Sequence, residues 1–203
     1  MCVLFFVSFF QSLRDSDVAT YLKMSSELLS VVPFHSPLMV KFASLSPEQT
    51  EAIAQRIRRT PLDFTVGSVH FIDDFAFDHK PELWQGIDVD HAYRRFFEHS
   101  AALAESGLFD GIAHPDSVKL FGHKSTFSLD ETYDALAAAL AKSGMYAEQN
   151  SGISRRTSAE PGMASALYAA MKRHNVPIRT ASDAHTPADT GAGIRYFYDK
   201  HLV

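Results

Sequence analysis

Cysteine is almost absent from this chain. Cys2 alone can form no internal disulfide and no cysteine-based zinc site, so a reducing, cytoplasmic setting is the expectation. An excess of positive charge is also missing. The net charge of −5 argues against nucleic acid or an anionic membrane as the main partner. No apolar run is long enough for a membrane helix: the greasiest stretch, Met1–Phe10 (MCVLFFVSFF), falls well short of a bilayer. It also lacks the basic flank and small-residue cleavage site of a secretory signal. It reads as a buried strand, with a peripheral anchor or a partner-binding edge as alternatives, because such a run left exposed would promote aggregation. Linkers and low-complexity stretches are missing as well. The 203 residues therefore suit one domain, 1–203, with the core of an α/β barrel or open sheet.

What is present is an alternation of strands and helices. Candidate strands are Cys2–Phe9, Leu38–Ala43, Phe64–His70, Gly111–His114, Met145–Asn150 and Ile178–Ser182. Candidate helices are Asp15–Val31, Pro47–Arg59, His91–Ser106, Leu129–Ser143, Gly162–His174 and Ala188–His201. Ser46-Pro47-Glu48-Gln49 has the form of a helix start, and Ser128-Leu129-Asp130-Glu131 that of a capping box. Gly144 suits a helix C-terminus. Strands separated by helices imply βαβ units and a parallel sheet, which places chemistry at the C-terminal strand ends.

Those ends are unusually rich in histidine and other polar groups. They are Gly67-Ser68-Val69-His70-Phe71, Ile112-Ala113-His114-Pro115-Asp116, Glu148-Gln149-Asn150 and Ser182-Asp183-Ala184-His185. Asp183 and His185 are two residues apart, so a strand-like backbone points both to one side. One histidine at a strand end is ordinarily structural; His70, His114, Asp183 and His185 on one rim point instead to a divalent metal. Imidazole and carboxylate without thiolate suit Zn, Mn or Fe(II). Arg155 and Arg156 follow Asn150 through a Ser-Gly turn. Arg155 is a candidate for bidentate phosphate binding, with Lys119 a weaker one; a solvated loop pair is the alternative for the arginines. The long connection Phe71–His91 carries Asp73, Asp74, Asp78, His79 and Trp84 and is a candidate rim loop. His91 and His99 are expected on one surface of a helix, and His174 and His201 at helix ends.

In order and spacing, the four rim motifs resemble the polymerase-and-histidinol-phosphatase (PHP) superfamily, most closely its histidinol-phosphatase branch. The resemblance runs from about Asp63 to Leu202, leaving 1–62 as a divergent part. It implies a distorted (β/α)7 barrel, here incomplete with five to six parallel strands and outer helices. It also implies a cluster of two or three metal ions (Zn, Mn or Fe), fewer in this chain, and hydrolysis of a small phosphorylated substrate. For this branch that substrate is L-histidinol phosphate, in histidine biosynthesis. By the same match His70, His114, Asp183 and His185 would be metal ligands, with Asp183 and His185 catalytic. Arg155 would contact the phosphate, and the position of Asn150 and Lys119 near the rim makes them further candidates for that contact. The family's opening His-x-His strand and its bridging glutamate have no counterpart here: Leu38–Leu45 holds Lys41 and no acid. The alternative implied is a truncated, catalytically impaired metal-binding remnant. An incomplete barrel would leave an open edge for Met1–Phe10, for further polypeptide or for self-association.

Overall fold

A computed structural model describes residues 8–9, 37–42, 51–52, 54–55, 58–59, 63–157 and 161–200. Six parallel strands form one sheet in the order of the sequence. They are β1 (Ser8–Phe9), β2 (Pro37–Phe42), β3 (Phe64–Val69), β4 (Gly111–Ile112), β5 (Tyr146–Asn150) and β6 (Ile178–Ala181). Each strand is added beside its predecessor without reversal. Every crossover therefore runs the same way round, as in a barrel rather than a doubly wound sheet. Among the described residues β6 pairs only with β5, and no pairing joins it to β1. Among the described residues the sheet is the expected incomplete barrel and does not close. The bulk of the expected Cys2–Phe9 strand, the Asp15–Val31 helix and the Ser46-Pro47 start lie outside the described residues. From residue 51 to 59 every described position is helical, as expected for Pro47–Arg59.

The helical layer covers β3 to β6. α1 (Val89–Glu105) starts at Asp88, whose carboxylate accepts the backbone N–H of His91 at 3.0 Å, a standard satisfaction of an orphan helix donor. Its buried residues Ala92, Tyr93, Phe96, Phe97, Ser100, Leu103 and Ala104 recur at helical spacing. They pack on α2 (Asp130–Ser143), which in turn packs on α4 (Ser165–Arg173). Leu103, Leu136, Leu140, Leu167 and Met171 form the fully buried centre. Under the sheet, the Tyr146 ring fills the space beside Gly111, where a Cβ would lie 2.3 Å from the ring.

Local details depart from expectation in four places. α2 begins at Asp130 behind Leu129, and the Ser128 hydroxyl bonds the Asp130 N–H and carboxylate instead of closing a capping box with Glu131. Gly144 does end that helix in the left-handed region at φ 73°. The turn after Asn150 is a single helical turn, α3 (Ile153–Arg156), rather than loop. The expected Ala188–His201 helix is broken at Gly191 and Gly193, both at φ 75°, which leaves a 3-10 turn at Pro187–Asp189 and α5 (Ile194–Asp199). His91 and His99 do not share a surface. Eight residues advance a helix by 80° beyond two turns, so His91 is exposed while His99 is buried under Arg95 and the Phe71 carbonyl.

Candidate active site

The C-terminal ends of β3 to β6 open into one cavity of about 600 Å³, lined by His70, Asp78, His114, Glu148, Arg155 and Asp183 among others. Six of the seven residues selected from the sequence line it: His70, His114, Asn150, Arg155, Asp183 and His185. Lys119 does not. Its ammonium is held by the Asp116 carboxylate at 2.7 Å and the Gly162 carbonyl at 2.6 Å.

Each histidine arrives by a distinct local device. His70 ends β3 and its Nδ1 lies 2.5 Å from the Asp78 carboxylate. An ionised carboxylate can only accept, so Nδ1 carries the proton and a neutral ring has its lone pair on Nε2. Burial pushes the Asp78 carboxyl up, but the hydrogen bond and charge of His70, with the charges of His114 and His79, outweigh it and hold it below the usual range. Asp78 Oδ1 is buried and accepts no hydrogen bond. His114 stands edge-on to His70, with ring centroids 5.1 Å apart. Its backbone is in the left-handed region at φ 32°, as is that of Asp183 at φ 51°. Such conformations cost a non-glycine residue about 1–3 kcal/mol and persist where the surroundings impose them.

The surroundings are visible at both positions. The Glu148 carboxyl accepts the backbone N–H of His114. Period-2 alternation puts Glu148 and Asn150 on the cavity face of β5, while Gln149 turns the other way to accept the Met163 N–H at 2.8 Å. Asn150 is held at both ends, donating to Glu148 at 3.0 Å and accepting from Gly152 N–H at 2.8 Å. Burial, helped by the charge of Asp183, pushes the Glu148 carboxyl up to about 8, against the hydrogen bonds from Asn150 and His114. Gly152 is required by close approach: a Cβ there would lie 2.6 Å from the Asp183 carboxylate. Arg155 donates to the carbonyls of Ser182 at 2.6 Å and Asp183 at 2.5 Å, and its Nε faces Asp189 at 3.5 Å. His185, exposed at the mouth, turns Nδ1 to the Asp183 carbonyl at 2.9 Å.

Sequence reasoning missed Glu148, Asp78 and Asp116 as site residues. A Glu-x-Asn pair at a strand end is the signal for the first, since both side chains must share a face. Asp78 and His79 sit in the expected rim loop and do line the cavity, whereas Asp73 is drawn away to Arg95. The donor set fits a divalent ion in its chemistry: the imidazoles of His114 and His185 and the Asp183 carboxylate lining one cavity, a carboxylate-backed His70, and a buried Asp78 oxygen that accepts no hydrogen bond, with His79 Nε2 3.9 Å away. Among the described residues no three His, Cys, Asp or Glu side chains are gathered closely enough to hold an ion as they stand. No helix among those residues is long and apolar enough to cross a membrane.

No protein-family model matches the chain. A protein of Deinococcus radiodurans named as a probable histidinol-phosphatase is 33% identical over 133 residues, 64% of this chain and 50% of that protein. One of the same name from Schizosaccharomyces pombe is 26% identical over 160 residues, 72% of this chain and 52% of that protein. The chain thus spans about half the length of the curated relatives it matches. A crystal structure of histidinol phosphate phosphatase from Lactococcus lactis, complexed with zinc, L-histidinol and phosphate, superposes with a TM-score of 0.66 at 16% identity, over 97% of this chain and 78% of that one. That likeness is one of fold. The similarity in sequence to two proteins named as probable histidinol-phosphatases, and in fold to a histidinol phosphate phosphatase, agrees with the resemblance carried by the four rim motifs.

Proposed function

We propose that this chain is a metal-dependent phosphoester hydrolase of the histidinol-phosphatase type, converting L-histidinol phosphate and water to L-histidinol and phosphate. The observation that carries the reading is the convergence of His70, His114, Asp183, His185 and Arg155 on one cavity at the strand ends. The likeness to two histidinol-phosphatases, and to a structure holding zinc, L-histidinol and phosphate, supports the substrate class.

In this reading His70, His114, Asp183 and His185 hold divalent metal, Zn, Mn or Fe. A metal bound there supplies a water of lowered pKa and polarises the phosphoryl group. Asp78 fixes the His70 tautomer and so the atom it offers. Asp183 contributes negative charge, can take the proton of the attacking water and can pass it on to the leaving alkoxide; His185 at the mouth, its Nδ1–H held by the Asp183 carbonyl, would offer Nε2 to the ion. Arg155 spends two of its five N–H donors on the carbonyls and keeps others for a phosphoryl oxygen. Asn150, on the cavity wall, holds Glu148 and Gly152, and Lys119, off the cavity, holds Asp116. The buried, proton-holding Glu148 avoids setting a second full negative charge beside Asp183. The edge of β6 that pairs with no strand among the described residues is one that a second copy of the chain could cover.

The test is phosphate release from L-histidinol phosphate by purified protein with added Mn or Zn. Turnover that disappears in Asp183→Ala and in His185→Ala supports the assignment. Absence of turnover with this and other phosphomonoesters would reject it. A second reading, a metal-binding remnant without activity, draws on the spacing of the ligands among the described residues. It predicts bound metal and no turnover.

A further inference from the structure

We infer that Arg155 and Arg156 are a pair of positioning residues, which reach from one helical turn to opposite rims of the cavity and fasten the two loops that carry its metal-facing groups. The inference rests on the site reading above and concerns residues that reading leaves as a phosphate contact and a neighbour.

Adjacent residues on a helix point about 100° apart, and α3 uses that divergence. Arg155 bridges the successive carbonyls of Ser182 and Asp183, at 2.6 and 2.5 Å. Arg156 turns to the other side, where its Nη2 donates to the Asp78 carbonyl at 2.5 Å and reaches the His79 carbonyl at 3.4 Å. Its guanidinium lies over the Phe121 ring, 6.0 Å from the centroid. Both arginines thus bind main-chain oxygens 27 to 78 residues away in sequence.

What these carbonyls belong to is the substance of the argument. Asp78 is the residue whose carboxylate orients His70. Asp183 is a left-handed residue whose backbone must be held for its side chain to face the cavity, and its carbonyl also meets His185. Two connected paths follow, Arg156 to Asp78 to His70 and Arg155 to Asp183 to His185. A planar guanidinium can span two adjacent carbonyls, whereas a lysine ammonium is a single point. With strand β5 as the common anchor, the clasp sets the distance between the two ligand-bearing walls.

The experiment uses the full chain, metal-free, as Arg155→Gln, Arg155→Lys, Arg156→Gln and Arg156→Lys. Amide hydrogen exchange should accelerate roughly tenfold or more in residues 182–186 only for the Arg155 variants, and in 77–80 only for the Arg156 variants. Exchange in β5 and the thermal midpoint should stay unchanged. Zinc affinity, read by competition with a chromophoric chelator, should fall roughly 10- to 100-fold, the range found when an outer-shell partner of a ligand is lost. Added methylguanidinium should restore part of it in a fifth variant, Arg156→Ala. Wild-type exchange in both loops for all variants would overturn the inference, as would equal loosening of both loops with a lowered midpoint. If the wild-type chain binds no zinc, the site reading fails while the exchange data still decide the clasp.

Discussion

Replacing Asp78 by Ala isolates one link of the site. The side chain is 10% exposed, and its Oδ2 lies 2.5 Å from His70 Nδ1. The backbone carbonyl that Arg156 holds is untouched, so the loop stays fastened and only the carboxylate is lost. A hydrogen bond with a charged partner contributes about 1.5–3 kcal/mol, and loss of a carboxylate behind a ligating imidazole lowers metal affinity about 10- to 100-fold. His70 in the variant is free to take the other tautomer, placing its proton on Nε2. Asp78→Asn keeps an acceptor for Nδ1–H without the charge and should lose less, about severalfold. Chelator competition with zinc at constant pH measures both variants against the wild type, with urea unfolding as a control on the fold. Wild-type zinc affinity in Asp78→Ala with an unchanged unfolding midpoint would refute the idea that this carboxylate sets the donor atom of His70.

Three further outcomes follow from the same geometry. Glu148 is pushed up from 4.5 to about 8 by burial, so the folded, metal-free chain keeps a proton that the unfolded chain releases. The stability this contributes is whole below about pH 4.5 and is lost as pH rises towards 8, by at most about 1.4 kcal/mol per unit. Urea midpoints between pH 5.5 and 7.5 should fall for the metal-free wild type and lose that component in Glu148→Gln; identical slopes would contradict it. Gly152→Ala places a methyl 2.6 Å from the Asp183 carboxylate. It should reduce zinc affinity and turnover together, about tenfold or more, and an active variant would show that the contact yields freely. Leu140→Ala in the fully buried layer between α1, α2 and α4 should cost about 2–5 kcal/mol by urea unfolding.

Much of this was legible because strand ends and rim chemistry leave local signals. β-prone runs closing on histidine at His70 and His114 marked the cavity wall, and Asp-x-His marked its mouth at Asp183 and His185. The parallel sheet followed from alternation with helices, and its barrel character from the family resemblance. What stayed hidden depends on partners distant in sequence. Nothing in Arg155-Arg156 announces that their guanidinium groups bind carbonyls of Asp78 and Asp183. A buried glutamate at 148 looks like any polar residue until its neighbours remove the water. Lys119 read as a free cation because Asp116 and the Gly162 carbonyl meet it only in the folded chain. The His91–His99 expectation failed on helical phase, and the last helix on two glycines that take positive φ.

The central claim is that this cavity hydrolyses a phosphoester with metal held by its own residues. Phosphate release from L-histidinol phosphate, measured on protein stripped by chelator and then titrated with zinc or manganese, tests it most directly. The account predicts no release from stripped protein, recovery that saturates with added metal, and no recovery in Asp183→Ala. Release that is indifferent to stripping, or none at any metal concentration from well-folded protein, would contradict it.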